Sequence, residues 1–222
     1  MSGPGSSGVR LSWWGHACVR LEHPGGRVVV DPGAWSDLDG ALEAVDAILV
    51  THEHADHVRP DRVVAAMSAR PGLRVWAPSP VVALLAAAGA PPARLHPVRG
   101  GDRLEVTGLV VDVVGEQHAV IHPDVPRIAN VGYVLAGVLH PGDAFTVPEQ
   151  QVRVLLTPVG APWLKLAEAI DFVRAVRPTT VVPIHDAVLS DAGRGLADRL
   201  VGGLGGAPQY RRLAVGEGIE VG

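Results

Sequence analysis

The sequence predicts an α/β protein with mixed sheets. Short apolar runs rich in β-branched residues alternate along the chain with segments of helical spacing. Some runs are joined directly by turn signals, as at Pro24-Gly25-Gly26 and Thr107-Gly108, so hairpins are mixed with helical crossovers. Several runs also end in His or Asp, at the strand ends where α/β proteins gather chemistry.

In order, Val9 to Glu22 is strand-like with a tight interruption at Trp14-Gly15-His16, and pairs as a hairpin with Arg27 to Val30. Asp37 to Val45 is a short helix, and Asp46 to Val50 a buried strand. Pro60 suits the start of a helix running to Arg70, with Val63, Val64 and Met67 on one face. Leu73 to Ala77 is a strand and Pro80 to Ala88 a helix; Arg103 to Val106 and Leu109 to Val114 are paired strands. The second half repeats the alternation. Asn130 to Leu139 holds two short strands around Ala136-Gly137, and Val152 to Leu156 a third. Lys165 to Val176 is an amphipathic helix through Leu166, Ala169, Ile170 and Val173. Thr179 to Ile184 is a strand, Gly195 to Leu204 a helix and Ile219 to Val221 a last strand.

A chain of 222 residues with 47% hydrophobic and 19% charged residues has a sizeable core. It reads as a flexible leader, 1–8, followed by one domain of two similar halves, 9–222. A net charge of −4 leaves no footprint for nucleic acid. No apolar run approaches the ~20 residues of a membrane span, and no secretory signal is evident. The single cysteine, Cys18, cannot form an internal disulfide, which fits a cytoplasmic, reducing setting.

The richest stretch is Thr51-His52-Glu53-His54-Ala55-Asp56-His57, straight after the strand Ala47-Ile48-Leu49-Val50. Alternate residues of an extended segment share a face, so His52 and His54 can reach one ion together. Asp56 and His57 follow the turn and can serve a second. The helical His-Glu-x-x-His motif is not present, because Asp56 stands where its second His would be. Imidazole and carboxylate suit zinc, manganese and iron alike. His118, Asp143 and His185 each end a later strand-like run. Singly each is ordinary, a turn aspartate or a hydrogen-bonded histidine; their recurrence at strand ends sets them apart.

Trp14-Gly15-His16, Val30-Asp31-Pro32, Thr51 to His57, Gly115-Glu116-Gln117-His118, His140-Pro141-Gly142-Asp143 and Pro183-Ile184-His185 together resemble the metallo-β-lactamase superfamily. Within it the chain is similar to metal-dependent hydrolases related to the ascorbate-6-phosphate lactonase. The resemblance implies a four-layer αβ/βα sandwich of two mixed sheets flanked by helices. It implies two divalent ions, zinc first and manganese or iron as alternatives. His52, His54 and His118 would hold one ion, Asp56, His57 and His185 the other, and Asp143 would bridge. Asp31 would steady the loop from behind the ligands, against a plain reading as a turn residue. It further implies a metal-bound hydroxide as nucleophile, oriented by Asp56. His16 and His140 are candidates to meet substrate.

The expected function is hydrolysis of a small ester, lactone or related carbonyl compound. The alternatives are a phosphodiesterase acting on a small nucleotide or phospholipid, and a non-catalytic metal-binding protein retaining the fold. Arg127 and Lys165 are cations that would serve an anionic substrate. The loop 119–130 carries His122, Asp124, Arg127 and Asn130 and can hold binding groups. Trp35 and Trp163 fall in loops, as pocket walls or simply as core. The expected partner is a small-molecule substrate, without nucleic acid or membrane, and self-association is an expectation carried by the resemblance.

Overall fold

The computed structural model describes residues 8–222. The expected leader, Gly8 apart, lies outside the described residues.

The first half runs β1 (Val9–Trp13), β2 (Val19–His23), β3 (Gly26–Val30), α1 (Leu38–Ala41), β4 (Ala47–Leu49), α2 (Pro60–Ala69), β5 (Arg74–Ala77), α3 (Ser79–Ala87) and β6 (Leu95–Pro97). The second runs β7 (Arg103–Val106), β8 (Leu109–Val114), β9 (Gly132–Leu135), β10 (Val138–His140), β11 (Val154–Pro158), α4 (Leu166–Val176), β12 (Thr180–Ile184), α5 (Asp191–Leu204) and β13 (Gln209–Tyr210). The last strand, β14 (Gly218–Val221), returns to the first sheet and pairs with β1.

The sheets have the orders β14-β1-β2-β3-β4-β5-β6 and β13-β12-β11-β10-β9-β8-β7. Both are mixed in the same way. From β14 and from β7 respectively, antiparallel pairings come first and parallel ones follow. The two halves therefore share one pairing pattern, with β14 standing in the first sheet where β7 stands in the second.

Side-chain alternation builds the layers. Val28, Val30, Ala47 and Leu49 point inward to meet Val154, Leu156, Val182 and Ile184 of the other sheet. Val29 and Ile48 point outward under α2 and α3, against Val63, Met67, Val81 and Leu85. Leu155 and Val181 point outward under α4 and α5, against Ile170, Phe172, Val173 and Val201. The result is four layers, helix–sheet–sheet–helix, the expected sandwich.

Boundaries differ from the sequence reading where local chemistry intervenes. The run Val9 to Glu22 is two antiparallel strands, β1 and β2, turning at Gly15. The helix expected over Asp37–Val45 is one turn, ending before Ala44, which has φ 52°. α5 begins earlier than Gly195 because Ser190 caps it, its hydroxyl accepting from Gly193 N–H at 3.2 Å. Among the described residues no helix is long and apolar enough to cross a membrane.

Candidate metal centre

The strand β4 delivers Val50 and Thr51 to the seam between the sheets. There Tyr133, fully buried on β9, reaches across and donates its hydroxyl proton to Val50 O at 2.8 Å. Thr51 is held by Asp31, which follows β3: Thr51 N–H donates to Asp31 Oδ1 and Thr51 Oγ1–H to Oδ2, both at 2.7 Å. Asp31 is fully buried at φ 53° and takes a further proton from His57 Nδ1 at 2.6 Å. Of its two readings, the one behind the ligands matches this geometry. The loop folds over Gly33, where an added Cβ would lie 1.7 Å from Asp56 O. Only glycine lets the chain pass that close.

The seven expected metal ligands converge. Together with His16 they fall into two groups, His52, His54, His118 and Asp143, and His16, Asp56, His57 and His185. Within each group one ligand atom per residue lies within 4.8 Å of the others. Asp143 faces both sides: Oδ2 lies 3.3 Å from His118 Nε2, and Oδ1 lies 3.1 Å from His57 Nε2 and 3.2 Å from His185 Nε2.

The outer ring nitrogens explain which inner ones are available. His118 Nδ1 donates to Ala119 O at 2.6 Å and His185 Nδ1 to Gly160 O at 2.7 Å. His52 Nδ1 meets Thr51 Oγ1 at 3.0 Å, and that hydroxyl has already given its proton to Asp31. With one proton held outside, each Nε2 faces inward, where either a second proton or a metal ion can occupy its lone pair. Nε2 of His57, His118 and His185 and Oδ1 of Asp143 are buried without a hydrogen-bond partner. Buried polar atoms are normally satisfied, so four orphans facing one another mark a cation site, and an N/O donor set of this kind fits a divalent ion.

His16 belongs to the second group by distance but not by proton position. Its Nδ1 accepts from Ala187 N–H at 3.3 Å, so the neutral ring carries its proton on Nε2. That proton points to Asp56 Oδ2, 3.1 Å away. His16 is therefore a donor to Asp56. It has φ 46°, and His185 has φ 58°. Left-handed backbone is costly outside glycine, and here it is held by the bond from His185 N–H to His16 O at 2.9 Å.

Charge is arranged in opposition. Burial works against ionisation of Asp56 and Asp143, yet the hydrogen-bonded histidines around them hold both carboxyls well below the usual range. Burial also resists a charge on His57 and His185, but carboxylates prevail, Asp143 and Asp31 on His57 and Asp143 and Asp56 on His185. His57 is raised well above the ordinary imidazole value, and His185 is pushed up to about 9. His52 and His54 go the other way, lowered by burial and by neighbouring imidazoles.

The remaining candidates separate. His140 is fully buried, with Nε2 donating to Ala17 O at 2.8 Å and Nδ1 accepting from Gly142 N–H at 3.2 Å. Both its nitrogens are engaged inside the protein, so it braces the turns beneath the cage and does not face a substrate. Trp35 is half exposed and meets the His16 ring edge-on at 4.8 Å. A shallow cleft beside His54 and His118 is lined by Ile121, Val125 and Arg127 of the 119–130 loop. Arg127 Nε donates to His118 O at 2.9 Å. Lys165 is exposed and pairs with Glu168 at 3.9 Å. The larger surface cavities, such as that between Val147–Val152 and Ala175–Arg177, include none of the cage residues.

Three side chains hold the site: Asn130 and Trp163, which the sequence reading left in minor roles, and Asp186, which it did not single out. Asn130 accepts Asp143 N–H at 2.9 Å and donates to Pro141 O at 3.1 Å. Trp163 Nε1–H donates to Asp143 Oδ2 at 2.8 Å. Asp186, next to His185, is buried and ion-paired with Arg212 and Arg194, and Arg212 also forks onto Asp198 at 2.8 and 2.7 Å.

A family model described as the β-lactamase superfamily domain matches residues 10–185. Protein Rv0786c of Mycobacterium tuberculosis is 39% identical over 194 residues, covering 85% of this chain and 89% of its own. A UPF0173 metal-dependent hydrolase of Myxococcus xanthus is 30% identical over 201 residues, covering 80% of this chain and 70% of that protein. Among solved structures, the metallo-β-lactamase fold protein YhfI from Bacillus subtilis matches with a TM-score of 0.73 at 13% identity, covering 97% of this chain and 100% of its own. That last likeness speaks for the fold alone.

Proposed function

Because the chain belongs to the β-lactamase superfamily, as a metal-dependent hydrolase with the metallo-β-lactamase fold, we propose that it holds two divalent ions and cleaves a small ester, lactone or related carbonyl substrate. The observation that carries this is the set of four orphaned buried atoms on His57, His118, His185 and Asp143, turned toward one another across the seam. His52, His54 and His118 would hold one ion, Asp56, His57 and His185 the second, and Asp143 would serve both. The donors suit zinc, manganese and iron alike, and zinc comes first only through the family resemblance. Such ions supply Lewis acidity and a nucleophile at neutral pH.

The chain's own part is orientation. Asp31 fixes the His57 ring, and His16 holds its proton at Nε2 and steers Asp56. Asp56 stays ionised and has 18% of its side chain exposed, so it can align an attacking water at the mouth of the site. Trp35 and the Ile121–Val125 wall give the mouth an apolar border, which suits a small neutral substrate.

Metal analysis and a substrate panel test this. Protein purified without added metal is expected to carry two equivalents per chain. His118→Ala is expected to keep one equivalent and lose hydrolysis. Arg127, on the cleft wall, favours the phosphodiesterase alternative, and faster turnover of p-nitrophenyl phosphodiesters than of lactones would establish that reading instead. No turnover of either class by fully loaded protein would leave a metal-binding protein without catalysis.

A further inference from the structure

We propose that Trp163 is a positioning residue of the metal centre: its indole N–H locks the rotation of the Asp143 carboxylate so that each oxygen faces its own ion. This rests on the dinuclear reading above. Asp143 is the one ligand that both groups share, and its usefulness depends on the torsion of its carboxylate. Oδ2 receives the Trp163 proton at 2.8 Å and lies toward His118, while Oδ1 has no hydrogen-bond partner and lies between His57 and His185. A carboxylate oxygen has two lone pairs, so Oδ2 can accept the indole proton and still turn a lone pair to an ion.

The indole is itself held. Trp163 is 8% exposed and makes T-shaped contacts with Phe145, at 5.1 Å between ring centres, and with the His118 ring, at 6.1 Å. Phe145 in turn packs on Phe172 of α4, with centres 4.9 Å apart. The donor is thus fixed from the outer helix layer through two aromatic rings to the shared ligand. This is the arrangement by which groups behind a ligand set its orientation and basicity.

The two ions do not depend on that lock equally. The second group has a carboxylate of its own in Asp56. The first has only three neutral imidazoles besides Asp143, so its share of negative charge comes wholly through Oδ2. Losing the lock therefore weakens the first ion and largely spares the second.

Trp163→Phe keeps an aromatic ring at this position and removes the N–H together with the pyrrole part of the indole. Calorimetric titration of metal-free protein with zinc or cobalt(II) is expected to show two ions in the parent. In the variant the first-group ion is expected to bind about 10- to 100-fold more weakly, and the other to change by less than about three-fold. The metal-free variant should melt somewhat lower for its smaller buried ring, but packing loss alone would not weaken one ion and spare the other. Cobalt(II) absorption separates the groups, because the weakened ion carries the three-imidazole spectrum. Should the variant fail to fold, the parent alone decides. Its Trp163 indole N–H resonance is expected to exchange slowly with solvent and to shift on adding the ions. Unchanged affinities in Trp163→Phe, or an indole resonance indifferent to metal, would overturn the role of Trp163 and leave the dinuclear reading standing. A parent that takes up no metal would overturn that reading itself.

Discussion

Asp31 shows how much of a site one side chain behind the ligands can carry. It takes the Thr51 backbone proton, the Thr51 hydroxyl proton and the His57 ring proton. Asp31→Asn keeps the shape, and asparagine accepts the left-handed backbone, but one oxygen becomes a donor facing a donor. We expect a loss of about 1.5–3 kcal/mol in urea unfolding of the metal-free protein, and about 10- to 100-fold weaker uptake at the His57 ion. Unfolding and metal titration that both match the parent would return Asp31 to an ordinary turn residue. The convergence of the His52 to His57 cluster was legible because the residues are close in sequence and follow a strand. His118, Asp143 and His185 were legible as strand ends. Asn130 and Trp163 were not, because they reach Asp143 from 13 and 20 residues away and nothing in local spacing marks such a bond. His140 stands in the right segment, yet its ring turns inward to Ala17 O, and a segment's position does not fix a ring's direction.

Elements deliver these groups through their ends. The turn after β10 must set Asp143 between the sheets, and Gly142 makes it possible at φ 61°. A Cβ there would meet Asn130 Oδ1 at 2.3 Å and Thr51 Cβ at 2.8 Å. Gly142→Ala is therefore expected to displace Asn130 and lower the melting temperature, with metal uptake falling at both groups because Asp143 serves both. Uptake and melting like the parent's would show that the turn tolerates the shift. Ser190 offers a milder test. Ser190→Ala removes the cap of α5 and should cost about 0.5–2 kcal/mol, leaving metal stoichiometry at the parent's value in the same titration. The strands missed from sequence, β6 and β13, are short, and β6 ends in proline, so neither carries an alternating signal. The helix expected over Asp37–Val45 failed for an opposite reason. Its composition is helical, but Gly40 packs where a Cβ would lie 1.9 Å from the Trp14 ring, the helix ends at Ala41 and Ala44 is left-handed at φ 52°.

At the scale of the molecule, two halves with one pairing pattern meet at a seam, and the cage is built across it. His52, His54, Asp56 and His57 come from the first half; His118, Asp143 and His185 come from the second. The seam is also tied by Tyr133 to Val50 O, His140 to Ala17 O and His185 N–H to His16 O. Without metal, the positive His57 and His185 hold Asp56 and Asp143 in place, so protons do part of the work that ions would do. His185 is pushed up to about 9 from an ordinary 6.5, which gives the sign. A group bound more tightly to its proton in the folded state stabilises that state fully below its unfolded value, and the gain disappears as pH rises through the folded value. Metal-free protein is therefore expected to lose stability between about pH 6.5 and 9. Ions compete with those same protons, so their apparent affinity should rise across the same window, with proton release on binding. Each ion at a thousand times its dissociation constant adds about 4 kcal/mol to the folded state. Thermal unfolding at pH 6, 7.5 and 9, with chelator and with saturating zinc, reads both effects. The two melting temperatures should lie closest at pH 6 and farthest apart at pH 9. A gap that stays constant would mean that the histidines at the seam do not carry the protons assigned to them, and that the halves are held by their shared apolar core and hydrogen bonds without that contribution.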